Sequence, residues 1–302
     1  MNQRSASYVQ YPTCSETDER WGMYVTTCGY SKVAAGMPYP PRKHPSSYEF
    51  TWDKGRILND HQVIYITRGS GIFESSSAGK KKITAGCIIL IFPGEWHRYR
   101  PDQATGWDEY WVGIKGSMAD QVVRNNFFTK EKPVLDIGIH ERIIEKFHRI
   151  FETAESGTAA FQQILSGEAF AIMGNVYSLS QYRQYENTDT EKIVKEARIL
   201  FAESVTDTVS PEDIARRLNT GYSNFRKIFK RFTGLAPGQY QLQLRIQKAR
   251  EMIASTNKTI KEISYLLGFE SNFYFSKHFK KKTGLTPNQY RQMVQKGQNR
   301  QG

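Results

Sequence analysis

Side chains suited to nucleic-acid recognition recur on two stretches of the chain that lie fifty positions apart. In the first, Arg226 and Lys227 fall on the side of a helical pattern opposite Phe225 and Phe229. The second stretch repeats this arrangement around Lys277. Guanidinium and ammonium groups donate to guanine O6 and N7, so cationic helix faces of this kind are suited to reading bases in a DNA groove. For one copy alone, an ordinary solvated helix face would explain the pattern equally well.

The stretches belong to a duplicated unit. Aligning Ile228–Tyr240 with His278–Tyr290 gives eight identities in thirteen positions, which indicates an internal repeat. Each copy begins with a helix-capping sequence, Ser210 to Asp213 in the first and Thr259 to Glu262 in the second. The pattern predicts a short helix, a tight turn and a longer amphipathic helix in each copy, the arrangement of a helix-turn-helix.

The charge of the chain is concentrated in its second part. Residues 1–190 carry 21 basic and 21 acidic side chains, whereas residues 191–302 carry 21 basic and 9 acidic ones and so hold the whole net charge of +12. A neutral body joined to a strongly basic segment is the electrostatic pattern of a nucleic-acid-binding module attached to a second domain.

The segments RRLNTGYSNFRKIFKRFTGLAPGQY and IKEISYLLGFESNFYFSKHFKKKTGLTPNQYR together resemble the paired helix-turn-helix domain of the AraC family of bacterial transcription regulators. The resemblance spans Ile193 to Arg291 and implies double-stranded promoter DNA and RNA polymerase as partners. It also implies that exposed residues early in each second helix read base edges: Ser223, Asn224, Arg226, Lys227, Asn272, Phe273, Ser276 and Lys277. Phe273 departs from a polar reader and predicts either contact with a thymine methyl group or packing inside the domain.

Further basic residues lie later in the same two helices, where contact with phosphates is expected rather than readout of bases: Lys230, Arg231, Lys280, Lys281 and Lys282. Between the two units, Gly238 to Ser255 has an apolar stripe at helical spacing and predicts a continuous helix of roughly 25 Å. This length approaches the ~34 Å between successive major grooves on one face of B-DNA.

The front of the chain has the pattern of a β-structure. Between residues 48 and 115, short apolar runs alternate with turn signals, and Gly69-Ser70-Gly71 and Ser77-Ala78-Gly79 predict hairpins in an antiparallel barrel or sandwich. The spacing of Gly86, Pro93-Gly94 and His97 resembles the cupin-type sensing domain of AraC-family regulators. A barrel mouth is a usual ligand site, and its candidate pocket residues are Arg56, Tyr65, Trp96, His97, Tyr99, Trp107, Glu109 and Trp111.

The candidate pocket favours a small-molecule effector over a reaction. In family members that sense sugars, the positions matching Tyr99, Glu109 and Trp111 line the pocket, so the resemblance implies a sugar or a sugar derivative. The alternative is that most of these aromatic side chains are core. Asp60-His61 lacks the second histidine of a metal-binding cupin, and no catalytic triad or phosphate loop has its required context. We therefore expect no metal, no cofactor, no catalytic residue and no enzyme activity.

Helical periodicity predicts two helices between the halves, at residues 139–153 and 159–179. Family members form homodimers through helices at this place, and the stripe Ile143, Ile144, Phe147, Ile150 and Phe151 could serve that role or pack on the barrel. The proline-rich residues 37–48 predict an extended segment across the barrel that could form a lid.

These patterns predict a multidomain α+β protein. The expected parts are a cupin-like sensing β-barrel over residues 1–135, helices over 136–180, a linker over 181–190 and an all-α double helix-turn-helix domain over 191–302. Without a membrane-length apolar run, we expect a cytoplasmic protein with no membrane partner. The predicted function is a ligand-responsive transcription regulator, an activator if the resemblance extends so far. Two alternatives remain, a ligand-independent DNA-binding regulator and a cupin-type enzyme fused to a DNA-binding domain.

Overall fold

A computed structural model describes residues 7–40, 51–183, 188–207 and 209–298. The chain divides into two compact units, residues 1–186 and 187–302. The described part of the first unit contains strands β1 (Ser7–Gln10), β2 (Tyr24–Val33), β3 (Arg56–Ile57), β4 (His61–Ser75), β5 (Gly79–Thr84), β6 (Cys87–Ile91), β7 (Trp96–Pro101), β8 (Trp107–Lys115) and β9 (Val134–Asp136). Its helices are α1 (Glu16–Arg20), α2 (Ser117–Arg124), α3 (Glu141–Ser156) and α4 (Phe161–Arg183).

The strands form two antiparallel sheets that share β4. One sheet has the order β1-β2-β8-β4-β6-β9, and in the other β4 pairs with β5 and β7, and β7 pairs with β3. The predicted mostly antiparallel β-domain with flanking helices is confirmed. Within the described residues, however, the hydrogen-bonded pairs do not close into the barrel that the sequence suggested.

Strand β4 passes from one sheet to the other at Gly69 to Gly71, where the sequence predicts a hairpin. It pairs with β8 from His61 to Gly69 and with β7 from Gly71 to Ser75. Gly69 has φ +80°, and a Cβ there would lie 2.0 Å from the carbonyl oxygen of Gly106. The prediction of a turn at residues 69–71 is therefore wrong, because glycine here permits a bend within one strand. The predicted hairpin at 77–79 is confirmed, since Ser75 pairs with Gly79.

The sheets enclose one core, and the helices cover another. Between the sheets lie Ile64, Ile66, Phe73 and Trp107 with their neighbours. Alternation along β4 sends Val63 and Tyr65 to the opposite face, where they pack with α3 and α4, together with the stripe Ile143, Phe147, Ile150 and Phe151. This stripe therefore packs within its own chain.

Three predicted features fall partly outside the described residues. The first apolar run of the β-pattern, residues 48–52, predicts a strand. Residues 51–52 lie in a loop, and residues 48–50 are not described. Of the segment expected at 37–48, the structure describes residues 37–40, among them Tyr39, whose ring packs on Tyr99 and Trp107. In the expected linker, α4 continues to Arg183 and the next helix begins at Thr188, while residues 184–187 are not described.

The described part of the second unit consists of helices joined by short turns and loops, without a strand. Its helices are α5 (Thr188–Glu203), α6 (Pro211–Arg217), α7 (Tyr222–Thr233), α8 (Pro237–Ser255), α9 (Ile260–Leu266), α10 (Asn272–Thr283) and α11 (Pro287–Gln298). Helix α8 contributes to two separate cores, with Leu244 in the first and Ile246, Ala249 and Ile253 in the second. None of the helices described in either unit is long and apolar enough to cross a membrane.

Candidate DNA-reading helices and ligand cavity

The two helix-turn-helix units are built by the same local interactions. Capping boxes start the first helix of each unit, at Ser210 with Asp213 and at Thr259 with Glu262, as the sequence predicted. Each box satisfies backbone N–H groups that the first turn of a helix leaves without partners. The spacing of Ile263, Leu266 and Leu267 predicts that all three side chains face the core of the second unit. This prediction is wrong for Leu266, which is exposed, whereas Leu267 fills the core.

Aromatic packing in the core of each unit holds its second helix in place. In the first unit, the rings of Phe229 and Tyr240 are 5.1 Å apart; fifty residues later, those of Phe279 and Tyr290 are 5.5 Å apart. The hydroxyl group of the threonine that ends α7, Thr233, donates to the carbonyl of Phe229 at 2.7 Å. Thr283 makes the equivalent bond at 2.9 Å in the second unit. The sequence repeat is thus a repeat of tertiary contacts.

This packing leaves the opposite face of each second helix to solvent. On α7 the exposed predicted readers are Ser223, Asn224, Arg226 and Lys227, and on α10 they are Asn272, Phe273 and Lys277. Ser276 is half-buried. The residues predicted to contact phosphates, Lys230, Arg231, Lys280, Lys281 and Lys282, are all exposed. Each helix therefore presents a polar and cationic surface of the kind that a major groove accepts.

Helix α8 links the two helix-turn-helix units. It has nineteen residues and spans about 28 Å at ~1.5 Å per residue. Because it packs in both cores, it sets the separation of α7 and α10.

A cavity lies in the first unit, on the inner side of the large sheet. It encloses about 480 Å³ of empty space, part of which opens to solvent. Aromatic, cationic, acidic and amide side chains meet in its wall, which consists of Tyr11, Thr27, Tyr39, Pro40, Arg56, Gln62, Ile64, Tyr99, Glu109 and Trp111.

A hydrogen-bond network fixes the polar groups of the cavity. The Arg56 guanidinium donates from Nη2 to the Tyr99 hydroxyl at 2.5 Å and from Nε to Nε2 of His97 at 3.3 Å. Nε2 of His97 therefore accepts, and Nδ1 carries the proton that it donates to the carbonyl of Glu95 at 3.0 Å. On the other side, the Tyr39 hydroxyl lies 3.0 Å and 3.2 Å from the two carboxylate oxygens of Glu109.

Burial changes the protonation of two groups in this network. It raises the pKa of Glu109 to about 8, although the Tyr39 hydrogen bond, the Arg56 charge and the nearby Trp107 oppose the shift. Burial together with the Arg56 charge lowers the pKa of His97 to about 3. At neutral pH His97 is neutral and Glu109 is mostly protonated. The cavity thus combines one cation with neutral donors and acceptors.

Four of the eight predicted pocket residues line the cavity: Arg56, Tyr99, Glu109 and Trp111. His97 lies behind the wall, stacked on Tyr99 with ring centroids 6.2 Å apart, and Trp107 is fully buried under Tyr39. The remaining two predicted residues, Tyr65 and Trp96, face away from the cavity because side chains alternate between the two faces of a strand. The Tyr65 hydroxyl donates to the carbonyl of Gly138 on the helix-covered face, and the Trp96 indole donates to the carbonyl of Lys54 at the surface.

Sequence reasoning missed several lining residues. Tyr11 lies just beyond β1, and Thr27 lies on β2, strands that the β-pattern of residues 48–115 did not include. Gln62 and Ile64 lie two residues apart on the same face of β4, and both line the cavity. The alternation of side chains along the strand, which turns Tyr65 away from the cavity, is the signal that could have identified them. Tyr39 and Pro40 belong to the proline-rich segment that the sequence places across the barrel, but nothing in the pattern singled out either residue as lining.

The described residues contain no group of three or more His, Cys, Asp and Glu side chains placed to hold a metal ion. Glu109 in the cavity wall and His97 behind it are the groups with catalytic potential, and both are hydrogen-bonded, Glu109 to the Tyr39 hydroxyl and His97 to the carbonyl of Glu95. The arrangement is that of a binding cavity with fixed polar partners.

Two family models match the chain. An AraC-like ligand binding domain matches residues 41–170, and a helix-turn-helix domain matches residues 214–293.

Relatives of known role extend over most of the chain. The Msm operon regulatory protein of Streptococcus mutans is 25% identical over 79% of this chain and 85% of its own length. The lactose operon transcription activator of Staphylococcus xylosus is 25% identical over 70% of this chain and 76% of its own. Among solved structures, the C-terminal domain of AraT from Geobacillus stearothermophilus is 31% identical, covers 33% of this chain and 84% of its own, and has a TM-score of 0.33.

Proposed function

Because the chain belongs to the AraC family of DNA-binding transcription regulators, we propose that its first unit binds a sugar or a sugar derivative and thereby changes how its second unit engages promoter DNA. The observation that carries this proposal is the cavity wall, in which Trp111 and Tyr99 stand beside Arg56, Glu109 and Gln62. Aromatic rings pack on the C–H faces of a sugar while the polar groups bond its hydroxyls. The name of the S. xylosus relative, a lactose operon activator, agrees with this class.

The effector class can be tested by intrinsic fluorescence. All five tryptophans, at positions 21, 52, 96, 107 and 111, lie in the first unit, and Trp111 lines the cavity. Titration with a panel of mono- and disaccharides, uronic acids and sugar phosphates should change the emission for at least one compound. Trp111→Phe should lose most of that change. Trp21→Phe, at an exposed position outside the wall, is the matched control and should keep it.

The same compound should alter promoter affinity, because an effector shifts a regulator only by binding one of its states better than the other. If no compound in the panel changes either the fluorescence or the affinity for promoter DNA, the chain is a ligand-independent regulator. Turnover of a compound in the presence of a transition metal would instead support the enzyme alternative.

In the second unit, we propose that α7 and α10 enter successive major grooves. Ser223, Asn224, Arg226 and Lys227 would read bases from α7, and Asn272, Phe273, Ser276 and Lys277 would read them from α10. The basic residues later in each helix would contact phosphates. Selection from random duplex DNA by the full chain tests this, and failure to enrich any sequence would overturn it.

We also propose that the chain forms a homodimer through the outer face of α4. This face exposes Ile164 (50%) and Phe170 (42%), with Gly167 and Gly174 between and beyond them. Ile164→Asp should shift the sedimentation of the protein toward the monomer. Ile199→Asp, at an equally exposed isoleucine on α5, should leave it unchanged.

Contact with RNA polymerase is proposed from the family alone. In vitro transcription would measure this contact, with the DNA upstream of the encoding gene as template, purified bacterial RNA polymerase, and the effector present or absent. Stimulation by the chain would agree with an activator, and inhibition would identify a repressor.

A further inference from the structure

Helices α7 and α10 differ in the side chains of their first turns, as alignment of the two repeats shows. At a fifty-residue offset, Ser223 and Asn224 of α7 correspond to Phe273 and Tyr274 of α10. The first turn of α7 therefore presents hydrogen-bonding side chains, and the first turn of α10 presents two aromatic rings. All four side chains are exposed.

Phe273 is not part of the core of its unit. Phe275 and Phe279 fill that core and are fully buried, whereas Phe273 is 79% exposed, more than any other large apolar side chain in the described chain. Its neighbour Tyr274 packs on His278 with ring centroids 4.3 Å apart. Among the described aromatic rings, none lies against Phe273. The packing alternative for this residue is thus removed.

The surroundings of Phe273 point to a polyanion. Lys277 lies one turn further along the same face, and Lys280 and Lys281 lie two turns further. An apolar ring at the start of a helix whose later turns expose lysines suits a partner that has phosphates at its edges and an apolar group between them. In the major groove of DNA, the C5 methyl group of thymine is that apolar group.

We propose that Phe273 reads the methyl group of a thymine in the half-site bound by α10. The two units would then read DNA by different chemistry. Helix α7 would use hydrogen bonds from Ser223, Asn224 and Arg226, whereas α10 would combine hydrogen bonds with one apolar contact. This inference rests on the proposed DNA-reading role of α10.

Replacement of thymine by deoxyuridine tests the inference, because it removes the methyl group and keeps the base pair. The full chain is first used to select a preferred duplex from random DNA. Each thymine of that duplex is then replaced singly, and affinity is measured by fluorescence anisotropy at fixed salt. For the natural chain, we expect one or two replacements to weaken binding about four-fold, the ratio that corresponds to burial of one methyl group.

Phe273→Ala should bind the thymine and deoxyuridine duplexes equally. Ser223→Ala, the matched variant at the equivalent position of α7, should keep the discrimination. Phe273→Leu should keep part of it, because an apolar side chain remains. Since Phe273 is almost fully exposed, the alanine variant should unfold at the same temperature as the natural chain, and circular dichroism checks that it does.

Three outcomes would overturn the inference, and they are distinguishable. If the chain selects no sequence, the DNA-reading proposal fails and this inference fails with it. If a sequence is selected but no deoxyuridine replacement weakens binding, only the methyl contact is wrong. If Phe273→Ala still discriminates thymine from deoxyuridine, another residue reads the methyl group. Loss of transcription stimulation by such a discriminating variant would assign Phe273 to a protein contact.

Discussion

Arg245 of α8 donates to the carbonyl oxygen of Gly268, at 3.4 Å, in the turn between α9 and α10. From its other terminal nitrogen the same guanidinium donates, at 3.0 Å, to the carbonyl of Asp207, which precedes the first helix-turn-helix unit. The Arg245 side chain therefore joins the second helix-turn-helix unit to the segment that leads into the first. Burial lowers the pKa of Arg245, and the side chain remains charged because an arginine pKa stays far above neutral pH.

Arg245→Met should loosen this connection. The variant keeps the aliphatic part of the side chain and leaves two carbonyl groups without their donor. Hydrogen bonds from charged groups contribute about 1.5 to 3 kcal/mol when well buried, so for this half-buried residue we expect a loss of about 1 to 2 kcal/mol. Urea unfolding of the full chain, followed by circular dichroism at the helix band, measures it. Lys248→Met on the same helix removes only an exposed ion pair with Glu251 and should lose no more than about 0.5 kcal/mol.

Gly268→Ala should destabilise the same turn. Gly268 has φ +68°, and an added Cβ would lie 3.1 Å from the Arg245 guanidinium. A left-handed backbone conformation disfavours alanine by roughly 1 kcal/mol or more. Gly238→Ala, in α8 with open space around the added carbon, is the control and should be neutral or slightly stabilising. Equal melting temperatures for the two variants would contradict this account of the turn.

Stability of the first unit should fall as pH rises from 6.5 to 8. The pKa of Glu109 is raised from 4.5 to about 8 in the folded state, so over that range the folded chain holds a proton that the unfolded chain has released. The contribution is fully present below pH 4.5 and is lost as pH rises through about 8. Unfolding in urea, followed by tryptophan emission, measures the slope.

His97 acts in the opposite direction at lower pH. Its pKa is lowered from 6.5 to about 3, so the unfolded chain binds a proton below pH 6.5 that the folded chain does not, and stability falls as pH drops below that value. Glu109→Gln should flatten the slope between pH 6.5 and 8. Glu131→Gln, at an exposed position, should not; a slope that persists in Glu109→Gln would show that another group causes it.

Arg226→Ala and Lys277→Ala should each relax the sequence preference at one or two base pairs and weaken binding to the preferred duplex by ~1 to 3 kcal/mol. Lys281→Ala should instead weaken binding to all duplexes alike, because phosphate contacts carry no direct sequence information. Affinities for a set of single-base variants of the selected duplex distinguish the two patterns. If Arg226→Ala weakened binding to all duplexes alike, Arg226 would not be a base-reading residue.

Binding to DNA should weaken steeply with salt, since the second part of the chain carries the whole net charge of +12. Each neutralised phosphate contributes about −0.9 to the slope of log K against log salt concentration. Lys281→Ala should reduce the magnitude of that slope by about one. A flat salt response of the natural chain would be incompatible with the proposed phosphate contacts.

The helical unit could be predicted from the sequence because its signals are local. Capping residues, helical periodicity and the fifty-residue repeat each act within a few turns of chain, and the structure reproduces the capping boxes at Ser210 and Thr259. The same local pattern does not separate Leu266 from Leu267: α9 ends at Leu266, which is exposed, and Leu267 fills the core.

The β-rich unit was less predictable because its decisive contacts are distant in sequence. The apolar runs of β4 indicate strand, but only the approach of Gly106 to Gly69 shows that the strand bends there rather than turning back. Tyr39 reaches Glu109 across seventy positions, and a periodicity argument contains no information on such a pair. Arg245 donates to carbonyl groups that lie 23 and 38 positions away, so these partners could not be foreseen either.

Helix α8 packs in both cores and so sets the distance between α7 and α10, the two helices proposed to read DNA. Inserting one residue at its middle would rotate one core against the other by about 100° and advance it by about 1.5 Å. Only insertions or deletions close to a whole turn would keep both readers facing the same duplex, and each would change the span by about 5.4 Å. If α7 and α10 read DNA as proposed, the spacing of target sites can therefore vary only in discrete steps, whereas the bases read within each site can change one side chain at a time.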